Sequence, residues 1–255
     1  MRLILAISQN VFRKALRSKI FTVFLLLTLG FILLSKVFEF LTIASEAKLI
    51  KDVGLVAIAF FTALIAIFLS GEAITSEVEE KTIYTILSKP LTRWEFILGK
   101  FLGVIWAILL ALAVSGLAFF ILLYLKGCLV VGVMFEAILF VFFETVVIAS
   151  IGIMFSSLSS STSTSTIFTF FVYLMGHFNP QLKFLGERTG ERLVKWTIKI
   201  VGWILPNLEY FNVRERVAQD IFINPTYIGK AFLYATIYAC AMLILAYLFL
   251  RQREF

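Results

Sequence analysis

The sequence predicts an all-α integral membrane protein with about six transmembrane helices and an amphipathic interfacial helix at its amino terminus. First, 61% of the 255 residues are hydrophobic and 15% are charged, whereas soluble domains are about half apolar and about a quarter charged. Second, several apolar stretches approach the length of about 20 residues that one helix needs to cross the hydrocarbon layer. Third, apolar and basic residues alternate with a helical period at the start of the chain.

Residues 1–19 form the predicted interfacial helix. One side of a helical wheel is apolar and the other carries basic and amide residues, which is typical of a helix lying in the membrane surface. The apolar side contains Ile4, Leu5, Val11, Phe12, Ala15 and Leu16, and the polar side contains Arg2, Gln9, Asn10, Arg13 and Arg17. The alternative is a soluble tail that leads into the first span.

The rest of the chain alternates apolar stretches with polar links and reads as one membrane domain over residues 1–255. Lys126 and Gly127 are predicted to form a tight turn. The hydroxyl-rich run at 156–166 is predicted to be a second turn that leads into the fifth span, because small hydroxyl residues suit close helix packing in lipid. The predicted spans are approximately 20–41, 53–70, 101–125, 129–155, 160–178 and 230–250, with polar segments at 71–100 and 179–229.

The polar segment 71–100 is predicted to contain two helical pieces with a fixed corner. Ser76 is predicted to cap the first piece, with Glu77, Glu79 and Glu80 in its first turn, where the helix dipole favours anions. Pro90 is predicted to end that piece. Thr92, with Glu95 three residues later, has the spacing of a capping box and predicts the start of the second piece.

The segment contains a spaced set of residues: Glu77, Thr82, Leu87, Pro90, Arg93, Gly99 and Lys100. This set resembles the motif of the permease subunits of ATP-binding-cassette transporters of the type 2 exporter class. That class shows an acidic residue, then Gly-Thr or similar, a Leu-Leu-Ser-like run, a proline, two residues, an arginine and a later Gly-Lys. Lys81 stands where the family usually has glycine. The span pattern agrees along the chain, and Leu205-Pro206-Asn207-Leu208 resembles copper-maturation and related multidrug-type permeases.

The resemblance implies that residues 71–100 are a cytoplasmic coupling loop pressed by a separate ATPase subunit. Glu77, Thr82, Pro90 and Arg93 are the implied coupling residues, and Glu77 and Arg93 are expected to meet opposite charges on the partner. The family also implies a dimer with a second copy or a second permease. ATP and Mg²⁺ would then be bound by the partner, since this sequence contains no Gly-x4-Gly-Lys-Ser/Thr phosphate loop.

An even number of spans places both termini and the 71–100 loop on one side of the membrane. Lysine and arginine number 11 on that side and 12 on the other, and the comparison becomes 11 against 4 when the long region 179–230 is left out. By the positive-inside rule the shorter segments predict cytoplasmic termini, in a multi-pass protein of the plasma membrane. The net charge of +7 predicts contact with anionic lipid headgroups and not with nucleic acid.

Glu144, near the middle of the fourth span, is the candidate for a residue of the transport path, because a carboxylate at that depth is costly. A protonated glutamic acid bonded to a neighbouring helix is the equal alternative. Glu136, His177 and the two cysteines, Cys128 and Cys240, are interpreted as structural, and no metal site is expected. Two rival functions remain: a membrane enzyme acting on lipids, which would need clustered catalytic groups, and an assembly protein without transport activity.

Overall fold

The computed structural model describes residues 2–38, 46–80, 92–127, 130–178, 196 and 205–252. These residues form eight α-helices and one 3₁₀ turn, with no β-strand among them, so the predicted all-α membrane class is confirmed. The helices are α1 (Arg2–Arg17), α2 (Lys19–Phe38), α3 (Glu46–Glu79), α4 (Arg93–Leu125), α5 (Val131–Leu158), α6 (Thr162–His177), α7 (Arg214–Ala218) and α8 (Pro225–Gln252), and the 3₁₀ turn is Leu208–Phe211.

Four of the described helices, α3, α4, α5 and α8, are long and apolar enough to cross a membrane. A fifth candidate span arises when α1 and α2, which meet at a bend of 63°, are counted together. Helix α6 has 16 residues, fewer than the roughly 20 that a span needs. The total of six spans therefore stays a prediction.

Helix α5 lies at the centre of the bundle, with α3 and α8 as its most extensive neighbours. Helix α8 presents one narrow face to this centre, and four of the six buried side chains on it are alanines: Ala231, Ala235, Ala239, Leu243, Ala246 and Leu250. Such small side chains let helix backbones approach closely, which is how helices associate in lipid without a hydrophobic driving force between them.

Two helix starts follow from local sequence. The Thr92 hydroxyl accepts from the Glu95 N–H, and the Glu95 carboxylate accepts from the Thr92 N–H, so the predicted capping box is confirmed. Helix α8 begins five residues before the predicted span, at Pro225. The Asn224 side chain caps it by accepting from the Thr226 N–H at 2.9 Å, and proline suits the first helical position.

The prediction that Ser76 caps a new helix is wrong. Helix α3 continues without a break from Glu46 to Glu79, so Ser76 lies in its last turns. The reason is tertiary. The Ser156 hydroxyl of α5 accepts from the N–H groups of Ile74 and Thr75, at 2.9 and 3.1 Å, and holds this part of α3 in the bundle.

The two ends of the bundle carry different polar groups. The end formed by α1 and residues 72–80, 92–100, 158–162 and 250–252 is called the coupling end. The opposite end, formed by residues 46–52 and 205–224, is called the outer end.

The second half of the predicted outer loop packs into the bundle, because five of its apolar side chains are buried: Leu208, Phe211, Val213, Val217 and Ile223. Residues 179–195 and 197–204 of that loop lie outside the described residues.

Candidate coupling site and outer cavity

The coupling end is built around an ion pair between Glu77, in the last turn of α3, and Lys100, in the second turn of α4. Lys100 Nζ donates to Glu77 Oε1, and the Lys100 side chain also lies over the Phe96 ring, 5.3 Å from its centroid. Lys100 is only 5% exposed. A carboxylate near a helix carboxyl terminus opposes the helix dipole, and the lysine offsets that cost while it joins α3 to α4.

Glu79 joins α3 to α6 in a similar way. One oxygen of its carboxylate accepts from the Thr162 N–H at 2.7 Å, and the other accepts from the Thr162 hydroxyl at 3.1 Å. Ser161, the N-cap residue of α6, makes no side-chain capping bond. Glu79 therefore supplies, from a neighbouring helix, the acceptor and the negative charge that a helix amino terminus favours.

Arg93 joins α4 to α8. Its Nη1 donates to the carbonyl oxygens of Leu250 and Arg251, both at 2.7 Å. These carbonyls belong to the last turn of α8, where a cation is favoured by the helix dipole. The adjacent Trp94 meets Tyr247 of α8 edge to face, with ring centroids 5.6 Å apart.

The sequence-predicted coupling residues thus divide into two groups. Glu77 and Arg93 have partners within the chain and fix helices on both sides of the segment 81–91. Thr82 and Pro90 fall within that segment, which lies outside the described residues. The expected contact of Glu77 and Arg93 with opposite charges on an ATPase stays a prediction.

Helix α1 docks against the start of α4 through two glycines four residues apart. A Cβ atom at Gly99 would lie 2.8 Å from the Ile7 side chain, and one at Gly103 would lie 2.6 Å from Val11. Lys14 Nζ donates to the Ser76 hydroxyl at 3.0 Å, which ties α1 to α3 as well. Gly99, part of the family-like motif, therefore has a packing role that the motif did not indicate.

Toward the outer end, a cavity of about 190 Å³ lies between α3, α5, α6 and the segment after the 3₁₀ turn. Glu144 is 6% exposed and lines it together with His177, whose Nε2 is 3.4 Å from Glu144 Oε1. The other lining residues are Leu55, Val56, Ala59, Phe60, Ala137, Val141, Tyr173, Phe211, Asn212, Val213 and Arg214. One buried carboxylate, one imidazole and one guanidinium therefore line the same cavity, together with the Asn212 amide and the Tyr173 side chain, in a wall that is otherwise apolar. This arrangement can hold a proton or a polar group of a ligand.

His177 was interpreted from sequence as an interfacial or loop-packing residue. In the structure its Nδ1 lies 3.2 Å from the Tyr173 carbonyl oxygen, and its ring meets Tyr173 edge to face at 4.8 Å. The imidazole thus packs within α6 and reaches Glu144 with its other nitrogen. No sequence pattern signalled this pairing, because the two residues are 33 positions apart, on different helices.

Two further polar contacts hold the outer end, and sequence reasoning missed one of them. Lys51, 2% exposed, binds both carboxylate oxygens of Asp220 at 2.5 and 2.7 Å. Glu136 Oε2 accepts from the Ile223 N–H at 2.9 Å, in line with its structural interpretation. Among the described residues, no group of three or more metal-ligating side chains is placed to hold an ion.

Comparison with known families gives a match that covers nearly the whole chain. The family described as "ABC-2 family transporter protein" matches residues 5–255. No curated protein sequence matches the chain.

Proposed function

The chain belongs to the ABC-2 transporter family, and on that premise we propose that it is the permease subunit of an ATP-driven exporter whose ATPase is a separate polypeptide. The membrane transport component follows from the family and from the apolar helices. The ATPase partner, the outward direction, the cytoplasmic position of the coupling end and the plasma membrane are parts of the proposal.

One observation carries the mechanism: two helices each reach from the coupling end to the outer cavity. Helix α3 places Glu77 and Glu79 at the coupling end and lines the cavity with Leu55 and Ala59. At 1.5 Å per residue its 34 residues extend about 50 Å, more than the bilayer's hydrocarbon thickness of about 30 Å. Helix α6 starts at Thr162, bound to Glu79, and ends at His177 in the cavity.

In the proposed mechanism, an ATPase presses on residues 81–91 and displaces the carboxyl end of α3. Because Glu79 holds the first turn of α6, the two helices move as one connected unit. Their movement changes the walls around Glu144. Glu77 and Arg93 act by fixing the helices on either side of the loop, so that force is transmitted and not absorbed.

Glu144 is proposed to line the outer part of the transport path. The cavity supports this role, since a buried carboxylate beside a histidine gives a polar contact within an apolar wall. A dimer with a second copy or another permease would complete the path between two chains, because one such bundle is small for a full pathway.

Co-purification tests the partnership. The tagged chain, isolated from its own host in mild detergent, is expected to bring down an ATP-binding-cassette subunit and to show ATP turnover only with that subunit present. ATP turnover by the chain freed of its partner would contradict the proposal. So would a preparation in which no ATPase subunit is recovered, even after chemical cross-linking before solubilisation.

A further inference from the structure

Three cationic side chains of α1 line a groove at the coupling end. The groove has a volume of about 560 Å³, and its lining residues are Asn10, Arg13, Lys14, Arg17, Ser18 and Glu72. Three positive side chains thus face a single carboxylate. The remaining polar groups are one amide and one hydroxyl, and both can donate hydrogen bonds to an anion.

Arg13 and Arg17 are exposed cations of this groove, and no carboxylate lies within ion-pair distance of either in the described part of the chain. Lys14, in contrast, is held by Ser76. The two arginines are four residues apart, so they are neighbours on one helix face and repel each other. An anion bound between them would relieve this repulsion.

The surroundings of the groove indicate which anion fits. Helix α1 is inclined by 63° to α2, so it lies toward the membrane plane when α2 crosses the bilayer. One face of α1 is covered by α4 at Gly99 and Gly103. A second face exposes Leu5 and Leu16, at 61% and 39%, in an apolar sector. Leu16 lies about 60° around the helix axis from Arg13, so a lipid-facing surface adjoins the cationic groove.

We propose that this groove binds the phosphodiester headgroup of an anionic membrane lipid. The phosphate would accept from the guanidinium groups of Arg13 and Arg17, whose planar donors match two phosphate oxygens at once. The acyl chains would lie along the Leu5 and Leu16 sector, as expected for an amphipathic helix at the headgroup level. The bound lipid would fix α1 beside Ser76 and the Glu77–Lys100 pair.

A titration of the purified full-length chain in nonionic detergent tests this site. Short-chain phosphatidylglycerol is the probe, short-chain phosphatidylcholine and inorganic phosphate are the comparison ligands, and the shift in melting temperature reports binding. Saturable binding of phosphatidylglycerol is expected, at least about tenfold tighter than binding of either comparison ligand. Equal affinity for inorganic phosphate would overturn the lipid assignment.

Variants locate the site. The double variant R13Q/R17Q is expected to bind phosphatidylglycerol at least about tenfold more weakly, because both charged donors are lost. The matched control K19Q/R251Q removes two exposed cations outside the groove and is expected to bind as the wild type does. If both variants lost phosphatidylglycerol affinity equally, general surface charge would explain the binding, and the proposal would be overturned.

A second readout excludes a protein ligand. If R13Q/R17Q kept full lipid affinity but lost the ATPase subunit in co-purification, the groove would be a protein-docking surface and the proposal would be wrong. Circular dichroism and the melting temperature without lipid show whether each variant is folded. Both arginines are exposed, so the fold is expected to survive.

Discussion

At the scale of single residues, Glu77 lies in the last turn of α3, where the helix dipole disfavours a carboxylate, and its pair with Lys100 offsets this cost. Lys100 is almost fully buried, so it depends on Glu77 for its counter-charge. Loss of one member of a buried pair leaves an uncompensated charge, which is more costly than loss of the whole pair.

Glu77→Gln is therefore expected to lower the free energy of unfolding by about 3–5 kcal/mol, measured by chemical unfolding in mixed micelles. Glu80→Gln, a neighbouring change at an exposed residue, is the control and should stay within about 0.5 kcal/mol of the wild type.

The double exchange Glu77→Lys with Lys100→Glu separates a contact within the chain from one with the ATPase. It should recover most of the stability and the ATPase association if Glu77 acts through Lys100. Restored stability with lost ATPase association would show instead that Glu77 contacts the partner directly.

Glu144 and His177 offer a second residue-scale test, because His177 is the only histidine of the chain. A carbonyl oxygen can only accept, so the contact with Tyr173 places a proton on Nδ1, and Nε2 then faces the carboxyl group. A hydrogen bond between Nε2 and Glu144, whose atoms are 3.4 Å apart, then requires one proton between them, since two lone pairs cannot bond. The charged groups facing this pair from the neighbouring segment are Glu209 and Arg214.

Nitrogen NMR of a histidine-labelled sample should show a protonated Nδ1 in the wild type. Glu144→Gln should shift the Nε2 resonance strongly, while Glu136→Gln, a change on the same helix at a residue bonded to Ile223, should not. An unprotonated Nδ1 would contradict the hydrogen bond to the Tyr173 carbonyl oxygen, and equal effects of the two variants would contradict the pairing of His177 with Glu144. For the transport role, Glu144→Gln is expected to lower transport while the complex still assembles.

At the scale of secondary-structure elements, the docking of α1 depends on the absence of side chains at Gly99 and Gly103. Gly99→Ala places a methyl group 2.8 Å from Ile7 and should cost about 1–3 kcal/mol of unfolding free energy, as overpacking does. Gly229→Ala in α8, where a Cβ atom meets nothing within 4 Å, should be neutral or stabilising.

Ile7→Gly added to Gly99→Ala removes both Ile7 atoms, Cβ and Cγ2, that lie 2.8 Å from the new methyl group, whereas Ile7→Ala would leave Cβ in place. The second change should therefore cost less in the Gly99→Ala background than in the wild type, which a double-mutant cycle of melting experiments measures. Strictly additive effects would contradict the contact between α1 and α4.

Elements set by local sequence could be predicted, and those set by distant contacts could not. The capping box at Thr92 is local and was predicted from spacing. The start of α8 carried a local signal in Asn224 and Pro225, but hydropathy placed the span five residues later. The continuation of α3 past Ser76 depends on Ser156, 81 and 82 residues along the chain, which no spacing rule indicates.

The same limit applies to the candidate sites. Glu144 could be singled out because a carboxylate within an apolar run is unusual. Its partner His177 could not, nor could the pairing of Lys51 with Asp220 across 169 residues. The motif residues Glu77 and Arg93 were found by resemblance. Their partners within the chain, Lys100 and the end of α8, required the three-dimensional structure.

At the scale of the whole molecule, the coupling end brings together α1, residues 72–80 and the end of α8, as the even span count predicts.

In a background without Cys128 and Cys240, an impermeant thiol reagent applied from outside should label Lys48→Cys and leave Lys89→Cys unlabelled until the membrane is permeabilised. Labelling of Lys89→Cys in intact cells would contradict cytoplasmic placement of the coupling loop.

In the proposed mechanism, an ATPase at the coupling end drives a change at the outer cavity through α3 and α6. The labelling rate of Asn212→Cys, in the cysteine-free permease reconstituted with its ATPase, tests it most directly without knowledge of the substrate. We predict that ATP changes this rate several-fold, that Glu77→Gln abolishes the change, and that the rate at Ile221→Cys, exposed outside the cavity, stays constant. An Asn212→Cys rate that is the same with and without ATP, while ATP is being hydrolysed, would contradict the account.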